Sequence, residues 1–228
     1  QKVLTTILQP LLRRHFSQFV SAGDLVFDVG ANVGNLTEAF IDLGSSVVAV
    51  DPHPYCVDLL DRRFAENDHV TVIPCALSDQ TGALPFYPSL DNHATSTLSR
   101  RWKDESRYAG SRSWAAPRQV SVTTLDHLIA QHGRPQFCKI DVEGHELHVL
   151  KGLSSPIPFL SFEVTGEFLD EADQCAQHLE TLGPVRFAYS PFLAYWPMST
   201  WVDRARLLRQ LQSYPPDLIF GDVYARFN

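Results

Sequence analysis

No two of the four cysteines, Cys56, Cys75, Cys138 and Cys175, form a CxxC pair or any other close spacing. A disulfide framework and a structural zinc knuckle are therefore not expected, and reduced thiols in a cytoplasmic setting are. No apolar run approaches the roughly 18 residues of a membrane span. The longest, such as Leu25–Val29 and Val47–Val50, have strand length, so no membrane partner is expected. Basic residues are in the minority, 19 Lys and Arg against 26 Asp and Glu for a formal charge of −7. They never gather into a run that could track a phosphate backbone, which sets aside polymeric nucleic acid as a partner. An internal repeat and low-complexity tracts are also lacking. The chain opens at Gln1 on a helix-like stretch without the charged n-region of a leader, and residues 1–22 read as a helical extension.

What is present is an ordinary globular balance: 228 residues, 44% hydrophobic and 20% charged, enough for one domain spanning 1–228 with a sizeable core. Short β-branched runs alternate with stretches of helical period, the pattern of βα units on a mostly parallel sheet, a doubly wound α/β fold. The expected strands are Leu25–Val29, Ser46–Val50, Val70–Pro74, Phe137–Val142, Phe159–Val164, Val185–Tyr189 and Asp222–Phe227. The expected helices are Asn32–Leu43, Tyr55–Glu66, Thr124–Gln131, Glu146–Leu150, Glu167–Leu182 and Asp203–Gln212. Residues 80–123 interrupt the rhythm after the third strand. Phe86-Tyr87 and Gln119–Thr123 can pair as an antiparallel insertion, and the basic, aromatic stretch between them (Trp102, Tyr108, Trp114) reads as either a lid or a mobile surface loop. Residues 190–228 form a tail with one helix and the last strand. Its aromatics Phe192, Tyr195, Trp196 and Trp201 suit a ring-shaped or sugar acceptor, or merely pack the helix.

The stretch Phe27-Asp28-Val29-Gly30-Ala31-Asn32-Val33-Gly34-Asn35 leaves a strand and opens a helix, where doubly wound sheets bind ligands. Gly30 allows a tight turn and close approach of a ligand, and the helix N-terminus offers free N–H groups to an anion. A dinucleotide fingerprint would want glycines at 30, 32 and 35, and two of the three are missing. The form D/E-x-G-x-G-x-G is matched at Asp28, Gly30 and Gly34, with Asn32 in the middle slot. Asp51, about 20 residues on at the end of the second strand, is placed to accept both ribose hydroxyls of a nucleoside. The alternative is an N-cap for the helix beginning near Pro54.

These residues, together with Ala76-Leu77-Ser78-Asp79 and Lys139-Ile140-Asp141-Val142-Glu143-Gly144-His145-Glu146, resemble the FkbM family of methyltransferases from about Gly23 to Glu163. The KIDVEGxE block is the specific part of the likeness. Asp51-Pro52 departs from it, since the family more often has Glu-Pro. The resemblance implies S-adenosylmethionine as donor, a Rossmann-like seven-stranded sheet with the last strand antiparallel, and methyl transfer to a hydroxyl of a sugar, polyketide or similar small molecule. It places the cofactor on Asp28, Gly30, Ala31, Asn32, Gly34, Asn35, Asp51, Pro52, Ala76, Leu77, Ser78 and Asp141.

In-line methyl transfer to an alcohol wants a base beside the methyl. A period of two puts Lys139, Asp141 and Glu143 on one side if the strand persists. Asp141 is the first candidate base, with Glu143, His145 and, from the neighbouring strand, Glu163 as its company. Three readings stay open for these residues: a base with orienting partners; hard oxygen ligands (Asp141, Glu143, Glu163) for Mg²⁺ or Ca²⁺, which is not the expected case; or a Lys139–carboxylate network that holds strand ends together. His145-Glu146-Leu147-His148 misses the H-E-x-x-H spacing of zinc proteases by one residue. The contrasting expectation is a non-catalytic nucleoside-binding domain of a larger assembly, which would have no reason to keep three charges beside the crevice.

Overall fold

The computed structural model describes residues 2–191 and 198–227, with side chains from residue 9 onward. Three of the tail aromatics singled out above, Phe192, Tyr195 and Trp196, lie outside the described residues. A first helix, α1 (Lys2–Phe16), precedes two βα steps and a third strand: β1 (Leu25–Val29), α2 (Asn35–Asp42), β2 (Ser46–Val50), α3 (Pro54–Phe64) and β3 (Val70–Ile73). A short β4 (Ala76–Leu77) follows, and the insertion supplies β5 (Gly82–Phe86), α4 (Arg100–Glu105) and β6 (Arg118–Thr123). The second half contains α5 (Leu125–His132), β7 (Phe137–Ile140), α6 (Glu146–Lys151), β8 (Phe159–Thr165), α7 (Leu169–Leu182), β9 (Val185–Pro191), α8 (Arg204–Gln212) and β10 (Phe220–Phe227).

Seven strands form one sheet in the order β3-β2-β1-β7-β8-β10-β9, parallel except for β10, which runs antiparallel to both of its neighbours. This is the Rossmann-like methyltransferase architecture expected from the sequence, last strand included. The strand order reverses between β1 and β7, so the crevice outside their carboxyl ends is the topological switch point where such sheets bind ligands.

The period of two sorts the strand residues onto two faces. Phe27, Val29, Val48, Val50, Cys138, Ile140, Leu160 and Phe162 join one buried cluster with Leu150 of α6, Ala176 and Leu179 of α7, and Leu207 of α8. Val26, Val47, Ala49, Phe137 and Tyr224 join the other, against Phe16 of α1, Phe40 of α2 and Leu60 of α3. The N-terminal helix is thereby part of the second layer, and His15 reaches the Tyr224 hydroxyl at 2.8 Å. All four cysteines are buried free thiols. Among the described residues no helix is long and apolar enough to cross a membrane.

Three local departures from the sequence reading matter for the site. Helix α2 begins at Asn35 rather than Asn32, because Asn32 (φ 51°) and Gly34 (φ 81°) both take the left-handed conformation, which a helix cannot include. Strand β7 stops at Ile140 rather than Val142, since Glu143 is also left-handed at φ 58°. The side-to-side alternation assumed for Lys139, Asp141 and Glu143 ends there, and a tight turn takes over. Finally, β5 and β6 pair antiparallel as expected, Phe86 opposite Arg118, but the segment between them is docked rather than a free surface loop. Trp102 is buried against Gly144, whose absent Cβ would come within 2.5 Å of the indole. Arg101 binds Asp170 and Glu171, and Arg107 binds Glu167, tying the insertion to the region of α7.

Candidate active site

At the switch point lies a cavity of about 530 Å³, within the range of about 300–1,000 Å³ usual for small-molecule sites. One wall is the loop after β1, the next is Asp51-Pro52-His53 after β2, and Cys75, Ala76 and Leu77 follow. The insertion closes over it with residues 92–98, and Asp141–Glu143, His145 and Glu163 form the floor.

The loop's shape is dictated by what surrounds it. A Cβ on Gly30 would lie 1.7 Å from the carbonyl oxygen of Asp141, so the glycine is required for the chain to pass that residue, not only for a ligand to approach. Asn32 holds the middle slot because asparagine tolerates the left-handed region better than other side chains. Gly34 faces Phe64 and Leu60 and does not line the cavity. The loop is braced from behind: Arg63 donates to the Val33 carbonyl at 2.6 Å and to Asn35 Oδ1 at 3.1 Å. Beneath it, Asp28 accepts the Thr37 hydroxyl at 2.6 Å, and burial pushes its carboxyl up to about 6.

Asp51 is 6% exposed on the cavity wall. Its Oδ2 accepts the Asn32 N–H at 2.9 Å and its Oδ1 the His53 N–H at 2.8 Å, while burial pushes its carboxyl up to about 6. The cap of α3 is His53, whose Nδ1 accepts the Tyr55 N–H at 3.2 Å. The helix-cap alternative for Asp51 is thereby ruled out. Each of its oxygens keeps a further lone pair for a ligand.

On the floor, one carboxylate oxygen each from Asp141, Glu143 and Glu163 lie within 4.8 Å of one another. Burial and the neighbouring carboxylates raise Glu143 and Glu163 well above the ordinary range. Lys139 is fully buried behind them and donates to Asp141 at 3.2 Å and to Asp222 of β10 at 2.9 Å. Burial opposes its charge, yet the surrounding carboxylates hold its proton well above the usual lysine value. A lysine so held cannot serve as a base. The turn carrying Glu143 is pinned by Glu146, which accepts the N–H groups of Val142 and Gly144, and by Thr97 of the insertion, which donates to the Glu143 carbonyl at 2.6 Å. His145 lines the cavity with its ring bonded to Ser78 Oγ at 3.1 Å, and burial lowers it to about 4. Ser78 itself stands behind the wall.

A family model described as a methyltransferase FkbM domain matches residues 28–187. The chain belongs to the FkbM methyltransferase family. Among curated proteins it is 29% identical over 159 residues to methyltransferase SdnD of Sordaria araneosa, covering 56% of this chain and 60% of that protein. It is 32% identical over 149 residues to the hexuronic acid methyltransferase AglP of Haloferax volcanii, covering 62% and 54%. The chain thus spans a little over half the length of these relatives. A chloroplast ribosomal RNA small subunit methyltransferase of Arabidopsis thaliana shares 41% identity over 54 residues only, 24% of the chain and 16% of that protein. Among solved structures, precorrin 8W decarboxylase from Methanobacterium thermoautotrophicum matches with a TM-score of 0.50 at 11% identity, covering 95% of this chain and 89% of that one; it shares the fold.

Within this FkbM domain, Asp28, Gly30, Ala31, Asn32, Asn35, Asp51, Pro52, Ala76, Leu77, Asp141, Glu143, His145 and Glu163 all line one cavity, whereas Gly34, Ser78 and Lys139 support it from outside. Sequence reasoning missed Asp222, the second partner of Lys139. It stands in register opposite Glu163, and the one acid in a mostly apolar last strand was the available signal. It also missed Asn92, His93 and Ser96, insertion residues that no spacing connects to the cavity.

Proposed function

We propose that this methyltransferase transfers a methyl group from S-adenosylmethionine to a hydroxyl of a small molecule, a sugar or another natural product. The observation that carries the reading is the meeting of Asp141, Glu143 and Glu163 in the same cavity that the 30–35 loop and Asp51 line. The residues fit the donor: a cavity of sufficient volume, a loop whose N–H groups precede a helix N-terminus, and a carboxylate with lone pairs to spare. When bound, S-adenosylmethionine supplies a methyl group already activated on a sulfonium.

The chain's own work is positioning and proton removal. Asp51 holds the ribose hydroxyls, the loop and the start of α2 hold the donor carboxylate, and Ala76 and Leu77 flank the base. Asp141, tied to Lys139, orients the acceptor hydroxyl. Glu143 and Glu163, whose burial and mutual repulsion favour a bound proton, take the hydroxyl's proton when ionised. No metal is required in this reading, because Lys139 already supplies positive charge to the cluster. The name of the H. volcanii relative makes sugars the first acceptors to try. The similarity to a ribosomal RNA enzyme is too local to bring its substrate here.

Asp141→Asn keeps the shape and removes the charge. Turnover should fall by about 10²–10⁴ while S-adenosylhomocysteine affinity stays within a few-fold. EDTA should leave the wild type active, and silencing by EDTA would instead make the three carboxylates metal ligands. Near-wild-type turnover per folded molecule in Asp141→Asn would refute the assignment.

A further inference from the structure

Ser96 and Leu98 of the insertion line the cavity. Alternate side chains of an extended segment point to opposite sides, and Thr97, between them, turns away and is 1% exposed. Its backbone is bridged to Tyr87, whose N–H donates to the Thr97 carbonyl at 2.8 Å. Its hydroxyl is fully used: it accepts the Ser99 N–H at 2.8 Å and donates to the Glu143 carbonyl at 2.6 Å.

That carbonyl belongs to the peptide that most needs holding. Glu143 (φ 58°) and Gly144 (φ 85°) are both left-handed, and the first carries a Cβ that disfavours the region. The peptide joining them is fixed at both ends. Its N–H, on Gly144, donates to Glu146 at 3.3 Å. Its carbonyl, on Glu143, is out of reach of any such help, since a carboxylate cannot donate to it, and Thr97 supplies the proton from 46 residues away. A second arm closes the circle. Ser99, which donates to Thr97, also accepts the Trp102 N–H at 3.1 Å, and the Trp102 indole fills the space beside Gly144. The Glu143 side chain hanging from this turn brings a carboxylate oxygen within 4.8 Å of those of Asp141 and Glu163.

Resting on the methyl-transfer reading above, we infer that Thr97 is a positioning residue for that reaction: its hydroxyl fixes the Glu143–Gly144 peptide and thereby sets the Glu143 carboxylate against Asp141 and Glu163. The insertion thus lines the cavity with Ser96 and Leu98 and, through the residue between them, places a group that removes the acceptor's proton.

The test needs no acceptor. The full chain, labelled with ¹³C at the glutamate carboxyls, is titrated by NMR with and without S-adenosylhomocysteine, and Glu143→Gln and Glu163→Gln assign the two signals. The charges that bear on the pair are Asp141, Glu146 and Lys139, with Tyr108 from the insertion; a Thr97 substitution alters none of them. Thr97→Val keeps the shape without the hydroxyl. It should free the peptide, part the two carboxyls and admit water, so that the upper of their two midpoints falls by about half a pH unit or more. Thr97→Ser keeps the hydroxyl and should titrate as the wild type does. If Thr97→Val does not fold, Thr97→Cys, a weak donor of similar size, is read in its place with the same expectation. A folded valine or cysteine variant with the wild-type titration, or a serine variant that departs as far as they do, overturns the inference. Failure of the wild type to bind S-adenosylhomocysteine would instead strike the methyl-transfer reading, while the titration of the unloaded chain still decides the role of Thr97.

Discussion

Removing the buried ammonium while leaving its partners in place is the sharpest test of how the floor is held. Lys139 is fully buried and Asp222 is 2% exposed, with 2.9 Å between them, whereas the second partner, Asp141, has a side chain 34% exposed. At an effective dielectric near 20, a pair at that separation attracts by roughly 5–6 kcal/mol, most of it offset by the cost of desolvating both ions. The intact pair therefore adds little net stability. Lys139→Met, however, strands Asp222 as an uncompensated buried charge, and the expected loss is about 3–5 kcal/mol at pH 7. Asp141 adds less, since water can reach it.

The pH dependence gives the sign. Burial already holds Asp222 above the ordinary carboxylate value despite the lysine, and without the lysine it rises further. Stability contributed by a raised acid is present below its unfolded pKa and lost as pH climbs through the folded one. The Lys139→Met defect should thus fade towards pH 4 and be full at pH 7. Urea unfolding reads it: with m of about 2–3 kcal/mol/M the midpoint should drop by about 1–2 M. Lys139→Met/Asp222→Leu should recover most of the loss. A single variant that costs under about 1 kcal/mol, or a double variant no better than the single, would show that the ammonium does not hold the floor.

Gly30→Ala should cost more than about 2 kcal/mol, from a left-handed backbone and a Cβ driven into the Asp141 carbonyl. Gly34→Ala should cost less, because the Phe64 and Leu60 side chains it meets can move; equal melting temperatures would deny the close approach at Gly30. Asp51→Asn should weaken S-adenosylhomocysteine by about 1.5–3 kcal/mol in calorimetry, and unchanged affinity would leave Asp51 a loop brace alone. With Glu143 and Glu163 raised, kcat/KM should climb with pH as they lose their protons, while the stability they contribute falls over that same interval. Glu163→Gln should flatten both profiles, and two unchanged profiles would mean that Glu163 does not titrate there.

The sequence was most legible where local chemistry is strong. Thr124 and Asp203 cap α5 and α8 by accepting the N–H groups of His127 and Arg206, and both helices begin within a residue of expectation. The distance from Gly30 to Asp51 correctly brought the two to one crevice. Legibility failed where a contact crosses the fold. Asp222 is 83 residues from Lys139, and only the antiparallel entry of β10 beside β8 brings them together. The early end of β7 is set by the Glu146 and Thr97 contacts to the following turn, and a period-two pattern carries no trace of them. His53 displaced Asp51 as the cap of α3 because the Asp51 carboxylate turns back to the Asn32 and His53 N–H groups.

The left-handed Glu143 has a consequence for how this site can drift. A side chain with a Cβ costs roughly 1–2 kcal/mol in that conformation, and Glu146 and Thr97 hold it there from both sides. For the backbone alone, glycine is the better residue at position 143, and random substitution under selection for stability alone would move towards it. Only a demand for the carboxylate opposes that drift. Libraries screened for thermal tolerance should therefore enrich Glu143→Gly, and those screened for turnover should purge it, making position 143 a point where robustness and chemistry compete for one side chain.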